Sequence, residues 1–258
     1  MPRFAANITT MYNEVDFLNR FEAAASSGFT GVECRFPYPF NKDELAGRLQ
    51  QQGLTQVLHN LPAGDWEAGE RGIACLPNRV GEFQDGVGYS IEYAQALGCA
   101  QLNCLAGITP EGVDPDAVRA TFISNLKFAA DKLKEADIRL LIEPINTRDT
   151  PGFYLCHTQQ GLDVMEEVAS DNISLQYDIY NMQIMEGDLA PTIESNLARI
   201  GHIQLADTPG RHEPGTGEIS YPFLFEFIDK LGYSGWIGCE YTPVAQTEDG
   251  LHWIKPYL

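Results

Sequence analysis

The chain has 258 residues, of which 44% are hydrophobic and 21% are charged. This composition is typical of a soluble globular protein with a sizeable core and argues against a disordered chain, and the length suits a single domain of about 250 residues. The 36 acidic and 17 basic residues give a formal net charge of −19 at pH 7, which disfavours nucleic-acid and anionic-membrane partners.

Short apolar runs alternate with longer segments of helical period in the first half of the chain. The predicted strands there are residues 3–8, 31–35, 54–59 and 101–105. The predicted helices are residues 14–27, 42–52 and 82–97, and each is followed at once by a glycine. A glycine directly after the last helical residue is a common helix C-terminal cap, which supports these boundaries.

The second half repeats the alternation. The predicted helices are residues 115–136, 159–169, 190–199 and 221–231, and the predicted strands are residues 139–144, 173–178, 202–206 and 236–240. Strands that alternate with helices, without hairpin signals, predict an α/β protein with a parallel sheet. Eight such units in this length favour a single (β/α)8 TIM barrel over residues 1–258. Neither common phosphate-binding glycine motif follows the first strand, which argues against a Rossmann-type fold.

The cysteine pattern and the N-terminus bear on the compartment. Six cysteines are scattered without a C-x-x-C pair, which indicates reduced, buried thiols rather than disulfides or a zinc site. The first residues lack the apolar core of a signal peptide, and no apolar stretch approaches the roughly 18 residues of a membrane-spanning helix. We therefore expect a cytoplasmic protein.

Four consecutive predicted strands each carry an oxygen-bearing side chain at or near their end. These are Glu143, Asp178, Gln204 and Glu240, on the fifth to eighth strands. The carboxyl ends of all strands meet at one rim of a barrel, where barrel enzymes have their active sites, so we expect the four side chains to converge. Three carboxylates crowded at that rim repel one another unless a cation neutralises them or their pKa values rise.

This set of residue types favours a particular chemistry. Carboxylates with an amide oxygen and no thiol suit Mg²⁺ or Mn²⁺ better than a structural zinc. A divalent ion there can bind two adjacent oxygens of a hydroxy-carbonyl substrate and stabilise the enediolate formed when a proton leaves the intervening carbon. Glu143 and Glu240 can shuttle that proton between neighbouring carbons. We therefore predict a metal-dependent aldose–ketose isomerase with these two glutamates as its catalytic pair.

Several segments together resemble the family of hydroxypyruvate isomerase and 2-oxo-tetronate isomerase, which are xylose-isomerase-like barrels. The resemblance covers essentially the whole chain. The segments that carry it are residues 1–7, residues 61–72, Glu143-Pro144, Asp178-Ile179-Tyr180-Asn181-Met182-Gln183, His202-Ile203-Gln204, residues 210–219 and Gly238-Cys239-Glu240-Tyr241.

The resemblance implies interconversion of hydroxypyruvate with tartronate semialdehyde, or the homologous four-carbon reaction. It implies that Glu143 and Glu240 bind the metal and transfer the proton, while Asp178 and Gln204 complete the ligand set. Members of this family commonly have histidine where this chain has Asn181. We expect Asn181 to contact the substrate, but its amide cannot titrate as an imidazole does, which leaves the exact substrate open.

Further residues near the predicted strand ends are candidates for binding a small anionic hydroxy-oxo acid. Arg211, just after the seventh strand, can pair with a substrate carboxylate through two N–H bonds; the alternative is an ion pair with Glu213 or Glu218. His212 beside it and His59 at the end of the third strand are expected to face the same mouth. The alternatives are a surface histidine and a satisfied strand-end histidine, respectively.

The connection of residues 60–78 is longer than the few residues usual after a barrel strand. Its glycines at 64, 69 and 72 around Trp66 suggest a lid that excludes water, whereas a packed surface loop is the alternative. Glu33, on the second strand, lies at a level similar to that of His59, and Arg35 beside it can simply pair with it.

Other functions stay open at this stage. A ketose 3-epimerase on a related barrel uses the same metal and two glutamates, but usually has histidine where this chain has Gln204. A metal-dependent DNA-repair endonuclease of similar fold needs many histidines for its three zinc ions, and this chain has five. A non-catalytic metabolite-binding barrel is suggested by Asn181. The sequence leaves a homo-oligomer open.

Overall fold

Buried apolar runs form the strands of a closed, wholly parallel barrel whose order follows the chain. The computed structural model describes residues 2–257. Its strands are β1 (Arg3–Asn7), β2 (Gly31–Glu33), β3 (Thr55–Asn60), β4 (Gln101–Cys104), β5 (Arg139–Ile142), β6 (Ile173–Asp178), β7 (Ile200–Leu205) and β8 (Trp236–Cys239). Pairing of β1 with β8 closes the barrel. The predicted single (β/α)8 barrel is confirmed.

Helices connect the strands and cover the outside of the barrel. They are α1 (Arg20–Ser26), α2 (Lys42–Gln52), α3 (Val80–Leu97), α4 (Pro115–Glu135), α5 (Thr158–Val168), α6 (Ile179–Met185), α7 (Leu189–Asn196) and α8 (Tyr221–Lys230). Local sequence signals set their ends. The Asn41 side chain accepts hydrogen bonds from the first turn of α2, and Gly53 ends that helix with a φ of 65°, which glycine adopts without strain.

Two predicted elements, α2 and β6, match the structure to the residue. One predicted helix start was wrong, and one helix was not predicted. The first helix begins at Arg20 rather than at residue 14, because the Glu14 carboxylate accepts bonds from the Thr247 backbone N–H and hydroxyl instead of facing a helix. The sequence also did not predict α6, which follows β6 without a loop. Asp178 caps it by accepting bonds from the N–H groups of Tyr180 and Asn181.

The inside of the barrel has an apolar floor and a polar upper layer. The floor consists of Ala5, Val57, Leu58 and Leu141, with Trp236 packed against it. Above it, five buried polar side chains are linked by hydrogen bonds; they are Asn7, Glu33, Gln176, His202 and Gln204. Buried Asn103 donates upward to Glu143. Buried polar groups are stable only when paired, so this layer supports the strand ends above it.

Two further observations concern the earlier expectations about compartment. All six cysteines are free and five of them are buried, so the predicted burial holds for all but Cys156. Within residues 2–257, no helix combines the length and the apolar character required to span a bilayer.

Candidate active site

Three acidic side chains converge at the carboxyl-terminal rim of the barrel. Glu143 and Glu240 directly follow β5 and β8, and Asp178 is the last residue of β6. One carboxylate oxygen from each lies within 4.8 Å of the others. The exposed fractions of the three residues are only 5%, 1% and 7% for Glu143, Asp178 and Glu240. The structure thus brings together three of the four side chains predicted to share an ion.

The surroundings push the pKa values of these acids apart. Burial, followed by the charges of Glu240 and Asp178, raises the pKa of Glu143 well above its ordinary value. Burial raises the pKa of Asp178 to about 6, although Arg211 opposes the shift. Burial also acts to raise the pKa of Glu240, but Arg211 and Arg35 outweigh it, so this pKa is lowered. The two glutamates therefore differ in proton affinity, which is the usual arrangement of an acid–base pair.

Two arginines bind the Glu240 side chain. Arg211 Nη2 donates to Glu240 Oε2 at 2.5 Å and to Asp178 Oδ2 at 3.1 Å. Arg35 Nε donates to Glu240 Oε1 at 2.9 Å. Arg211 therefore pairs across the rim with Asp178 and Glu240, rather than with an acid of its own loop, and the suggested pairing of Arg35 with its strand neighbour Glu33 was wrong. Both arginines offset carboxylate charge at the rim.

Gln204 lies next to the carboxylates, but its side chain forms hydrogen bonds with residues of the polar layer below them. It stands opposite Asp178 in the pairing of β6 with β7. Its Oε1 accepts a bond of 2.6 Å from Gln176 Nε2, and its Nε2 donates to Glu33 Oε1 at 2.7 Å. Gln176 Nε2 also donates to Glu143 Oε2 at 2.8 Å. Because its oxygen already has a donor, the role of Gln204 as a metal ligand stays a prediction.

Asn181, in the first turn of α6, binds two of the three acids. Its Nδ2 donates to Asp178 Oδ2 at 2.7 Å and to Glu143 Oε1 at 3.3 Å. Its Oδ1 accepts from the backbone and side-chain N–H groups of Asn146, at 3.2 and 2.6 Å. The orientation of Asn181 is therefore fixed by its partners, and its amide holds the carboxylates of β5 and β6 together. It also lines the cavity above them.

The two predicted histidines lie away from this cavity. The pairing of β2 with β3 shifts register, and Val57 and Leu58 both reach the barrel floor. As a result Asn60, not His59, lines the cavity. The His59 ring packs against Tyr38, with Nδ1 3.4 Å from its hydroxyl, and burial lowers the pKa of His59 to about 4. The predicted orientation of His59 toward the mouth was therefore wrong.

His212 lies outside the cavity lining as well. Its Nδ1 is 2.7 Å from the carbonyl oxygen of Thr242, and its own carbonyl accepts the Asp207 N–H at 2.7 Å. These contacts hold the chain that presents Arg211. The expected direct contact of His212 with substrate finds no support in this placement.

A small cavity of about 170 Å³ opens above the acids. Its volume is below the roughly 300–1,000 Å³ of drug-sized pockets, which favours a small ligand. Trp66 and Arg71, from the predicted lid segment, form part of its wall. Neither Arg71 nor Asn60 was predicted as a site residue. Asn103, whose Nδ2 donates to Glu143 Oε2 at 2.8 Å, was also missed, although a polar residue inside a buried strand was a usable signal.

The chain is similar to known proteins over its whole length. The model of the xylose isomerase-like TIM barrel family matches residues 21–257. The chain is 52% identical over 257 residues to hydroxypyruvate isomerase of Escherichia coli (strain K12), covering 100% of both chains. It is 50% identical over 258 residues to 2-oxo-tetronate isomerase of Cupriavidus necator, covering 100% of this chain and 99% of the relative.

Solved structures agree with these sequence matches. The crystal structure of an "AP endonuclease, family 2" from Brucella melitensis superposes with a TM-score of 0.97 at 49% identity, over 100% of this chain and 99% of that one. An L-ribulose 3-epimerase superposes with a TM-score of 0.77 at 22% identity, over 99% of this chain and 86% of that one. The second likeness concerns the fold alone.

Proposed function

The chain belongs to the xylose isomerase-like TIM barrel family and, within it, to the hydroxypyruvate and 2-oxo-tetronate isomerases, and on this basis we propose that a divalent metal and two glutamates isomerise hydroxypyruvate at its rim. An isomerase acting on a small hydroxy-oxo acid is the activity that the family carries. The observation that supports our finer assignment is the pair Glu143 and Glu240, which have opposed pKa shifts in one buried cluster under a small cavity.

The residues present fit a hard divalent cation. Glu143, Asp178 and Glu240 offer buried carboxylate oxygens close together, and such oxygens suit Mg²⁺ or Mn²⁺. Gln204 is our candidate for a further ligand. When bound, the metal supplies positive charge beside the two substrate oxygens on which negative charge develops.

The protein's own side chains move the proton. Hydroxypyruvate becomes tartronate semialdehyde when a carbon-bound proton leaves C3 and one is added to C2, while the hydroxyl proton of C3 passes to the oxygen on C2. One of the carboxyl groups of Glu143 and Glu240 takes the first proton and the other delivers the second, and the reverse reaction exchanges their roles. Two carboxyl groups divide this work when they bind protons differently, which their opposed pKa shifts support. Asn181 and Asn103 hold Glu143 in place.

A direct assay tests the proposal. The purified protein with Mn²⁺ is given hydroxypyruvate, and tartronate semialdehyde is followed with a coupled reductase. Glu240→Gln and Glu143→Gln, which keep the shape but cannot accept a proton, should each lower kcat at least about 100-fold. The same assay with the four-carbon 2-oxo-tetronate decides between the two acids by kcat/KM. Turnover of free ketohexoses alone would instead support a ketose 3-epimerase, and no turnover of any of these would support a metabolite-binding barrel.

A DNA-repair endonuclease is the rival suggested by the name of the Brucella structure. Two observations argue against it. The group of acids that could hold a metal contains no histidine, and a chain of net charge −19 repels the phosphate backbone. Nicking of DNA that carries abasic sites would overturn this argument.

A further inference from the structure

We propose that Arg71, in the loop between β3 and α3, binds the carboxylate of the substrate. The inference rests on the proposed function, because it assigns the anion-binding end of the same cavity. Three arginines line that cavity, Arg35, Arg71 and Arg211. An anionic substrate in a pocket that lies directly above three acids needs a cation whose charge is not already neutralised.

Arg35 and Arg211 do not meet this requirement. Arg35 is ion-paired with Glu240 through Nε. Arg211 uses Nη2 for Asp178 and Glu240, and its Nε donates to the Glu240 carbonyl oxygen at 3.3 Å. The sequence analysis assigned the substrate carboxylate to Arg211; Arg211 does line the cavity, but its charge is already shared by two acids.

Arg71 has donors to spare. Its Nη1 donates to the backbone carbonyl oxygens of Trp66 at 3.0 Å and Glu70 at 2.8 Å. Within residues 2–257 its guanidinium has no carboxylate partner, and its Nε and Nη2 donate to no protein atom. A guanidinium presents N–H groups in a fixed plane that matches the two oxygens of a carboxylate. The free edge of Arg71 is therefore suited to that group.

The neighbouring indole orients the arginine. The Arg71 guanidinium carbon lies 4.1 Å from the centroid of the Trp66 ring, and that of Arg35 lies 5.6 Å from the same ring. Stacking on an aromatic face limits the side chain to few orientations and attracts its charge. Arg71 is thus positioned before the substrate arrives, which reduces the entropy cost of binding.

The backbone that carries Arg71 is also anchored. Gly72 forms a bridge with Ala106, beyond the end of β4, and has a φ of 120°. A Cβ on Gly72 would lie 2.4 Å from the Leu105 carbonyl oxygen, so only glycine permits this close approach. Within the loop, the Glu70 carboxylate accepts the Asp65 N–H at 2.5 Å and pairs with Arg79. These contacts hold the loop against the barrel with Arg71 on the cavity wall.

The test compares two substrates that differ only in the group assigned to Arg71. Dihydroxyacetone has a neutral hydroxymethyl group where hydroxypyruvate has its carboxylate, and isomerises to glyceraldehyde by the same proton transfer. Arg71→Met should lower kcat/KM for hydroxypyruvate roughly 10- to 100-fold, mainly through KM, as expected for loss of a charged hydrogen-bonded pair. Turnover of dihydroxyacetone should change by less than about threefold. Arg71→Lys, which keeps the charge, should fall in between.

A binding measurement provides a second readout. Tartronate, an inert carboxylate analogue, is titrated calorimetrically into the wild type, Arg71→Met and Arg48→Met, with Mn²⁺ present and absent. Arg48, on the outer helix α2, controls for the loss of one positive charge. Tartronate should bind Arg71→Met about 10- to 100-fold more weakly than the other two.

The outcomes separate the inference from the function on which it rests. Equal binding of tartronate by Arg71→Met and the wild type would overturn the role of Arg71, and so would an equal loss of activity on the acid and on its neutral analogue. A wild-type protein that turns over no hydroxy-oxo acid would overturn the proposed function instead, while the tartronate titration would still decide the role of Arg71.

Discussion

Replacing Asn181 by aspartate tests whether the acids at the rim are as close in solution as in the structure. Asn181→Asp keeps the side-chain shape, and the oxygen that accepts from Asn146 is retained. The donor Nδ2, however, becomes an oxygen that faces Asp178 Oδ2 at 2.7 Å and Glu143 Oε1 at 3.3 Å. A fourth carboxylate therefore enters a buried group of three.

The size of the effect follows from two contributions. Loss of a hydrogen bond to a charged group costs about 1.5–3 kcal/mol, and a like-charge pair about 4 Å apart costs about 4 kcal/mol at an effective dielectric constant near 20. Protonation limits the repulsion, because neutralising an aspartate of pKa about 3.9 at pH 8 costs about 5.5 kcal/mol. We expect the free energy of unfolding of the metal-free protein to fall by about 3–5 kcal/mol at pH 8.

The pKa shift of the new carboxyl group determines how the loss of stability depends on pH. The new carboxyl group has a folded-state pKa above its unfolded value, so the loss of stability is absent below about pH 4, grows as the pH rises from there and levels off above the folded-state pKa. Urea unfolding in EDTA, followed by far-UV circular dichroism, should therefore show a smaller difference from wild type at pH 5 than at pH 8. Mn²⁺ should reduce the difference at pH 8, because a cation among the acids offsets the repulsion of the added carboxylate and therefore stabilises the folded variant more than the folded wild type.

Asn78→Asp is the matched control, since it adds the same charge at an exposed position. It should change the free energy of unfolding by no more than about 0.5 kcal/mol. Equal effects of the two substitutions, or a loss in Asn181→Asp that is the same at pH 5 and pH 8, would refute the close contact of Asn181 with the acids.

Three further predictions concern the metal and the polar layer beneath it. EDTA should abolish turnover of hydroxypyruvate and Mg²⁺ or Mn²⁺ should restore it, so full activity after chelation and dialysis would contradict metal dependence. The affinity for Mn²⁺, measured by calorimetry, should be lower at pH 5 than at pH 8. Burial raises the pKa of Asp178 to about 6, so protons compete with the cation at the lower pH. An unchanged affinity would count against Asp178 as a ligand. Glu33→Gln should lower the free energy of unfolding by about 3–5 kcal/mol. The reason is that the fully buried Glu33 carboxylate accepts hydrogen bonds from Asn7 and Gln204 and lies 2.8 Å from His202. An unchanged midpoint of urea unfolding would contradict this.

The success of the sequence analysis at Glu143, Asp178 and Glu240 has a simple cause. The predicted strands ended close to the observed ends, and closure of a parallel barrel brings all carboxyl ends to one rim whatever the details of helix packing. The position of each acid therefore depended on local sequence and on fold class alone.

The failures involve long-range contacts. The inward position of Asn60 depends on a register shift between β2 and β3, and a shift of one residue reverses every side chain that follows. The partners of Arg211 and Arg35 lie at the ends of other strands, about 30 and 205 residues away along the chain. Arg71 sits in a loop whose path is set by a bridge to Ala106. None of these contacts has a signal in the adjacent sequence.

The balance of charge in the cavity reconciles an acidic protein with an anionic substrate. Three arginines line the cavity and three acids lie on or just below its floor; they are Arg35, Arg71, Arg211, Glu143, Asp178 and Glu240. Fully ionised, this set is neutral, although the chain as a whole carries −19. A divalent cation held by the acids would make the cavity positive, and a low-dielectric wall strengthens that local field against the more distant surface charge. The affinity for the anionic substrate should therefore depend on prior metal binding, with the arginine on the loop and the cation on the rim attracting opposite ends of the same molecule.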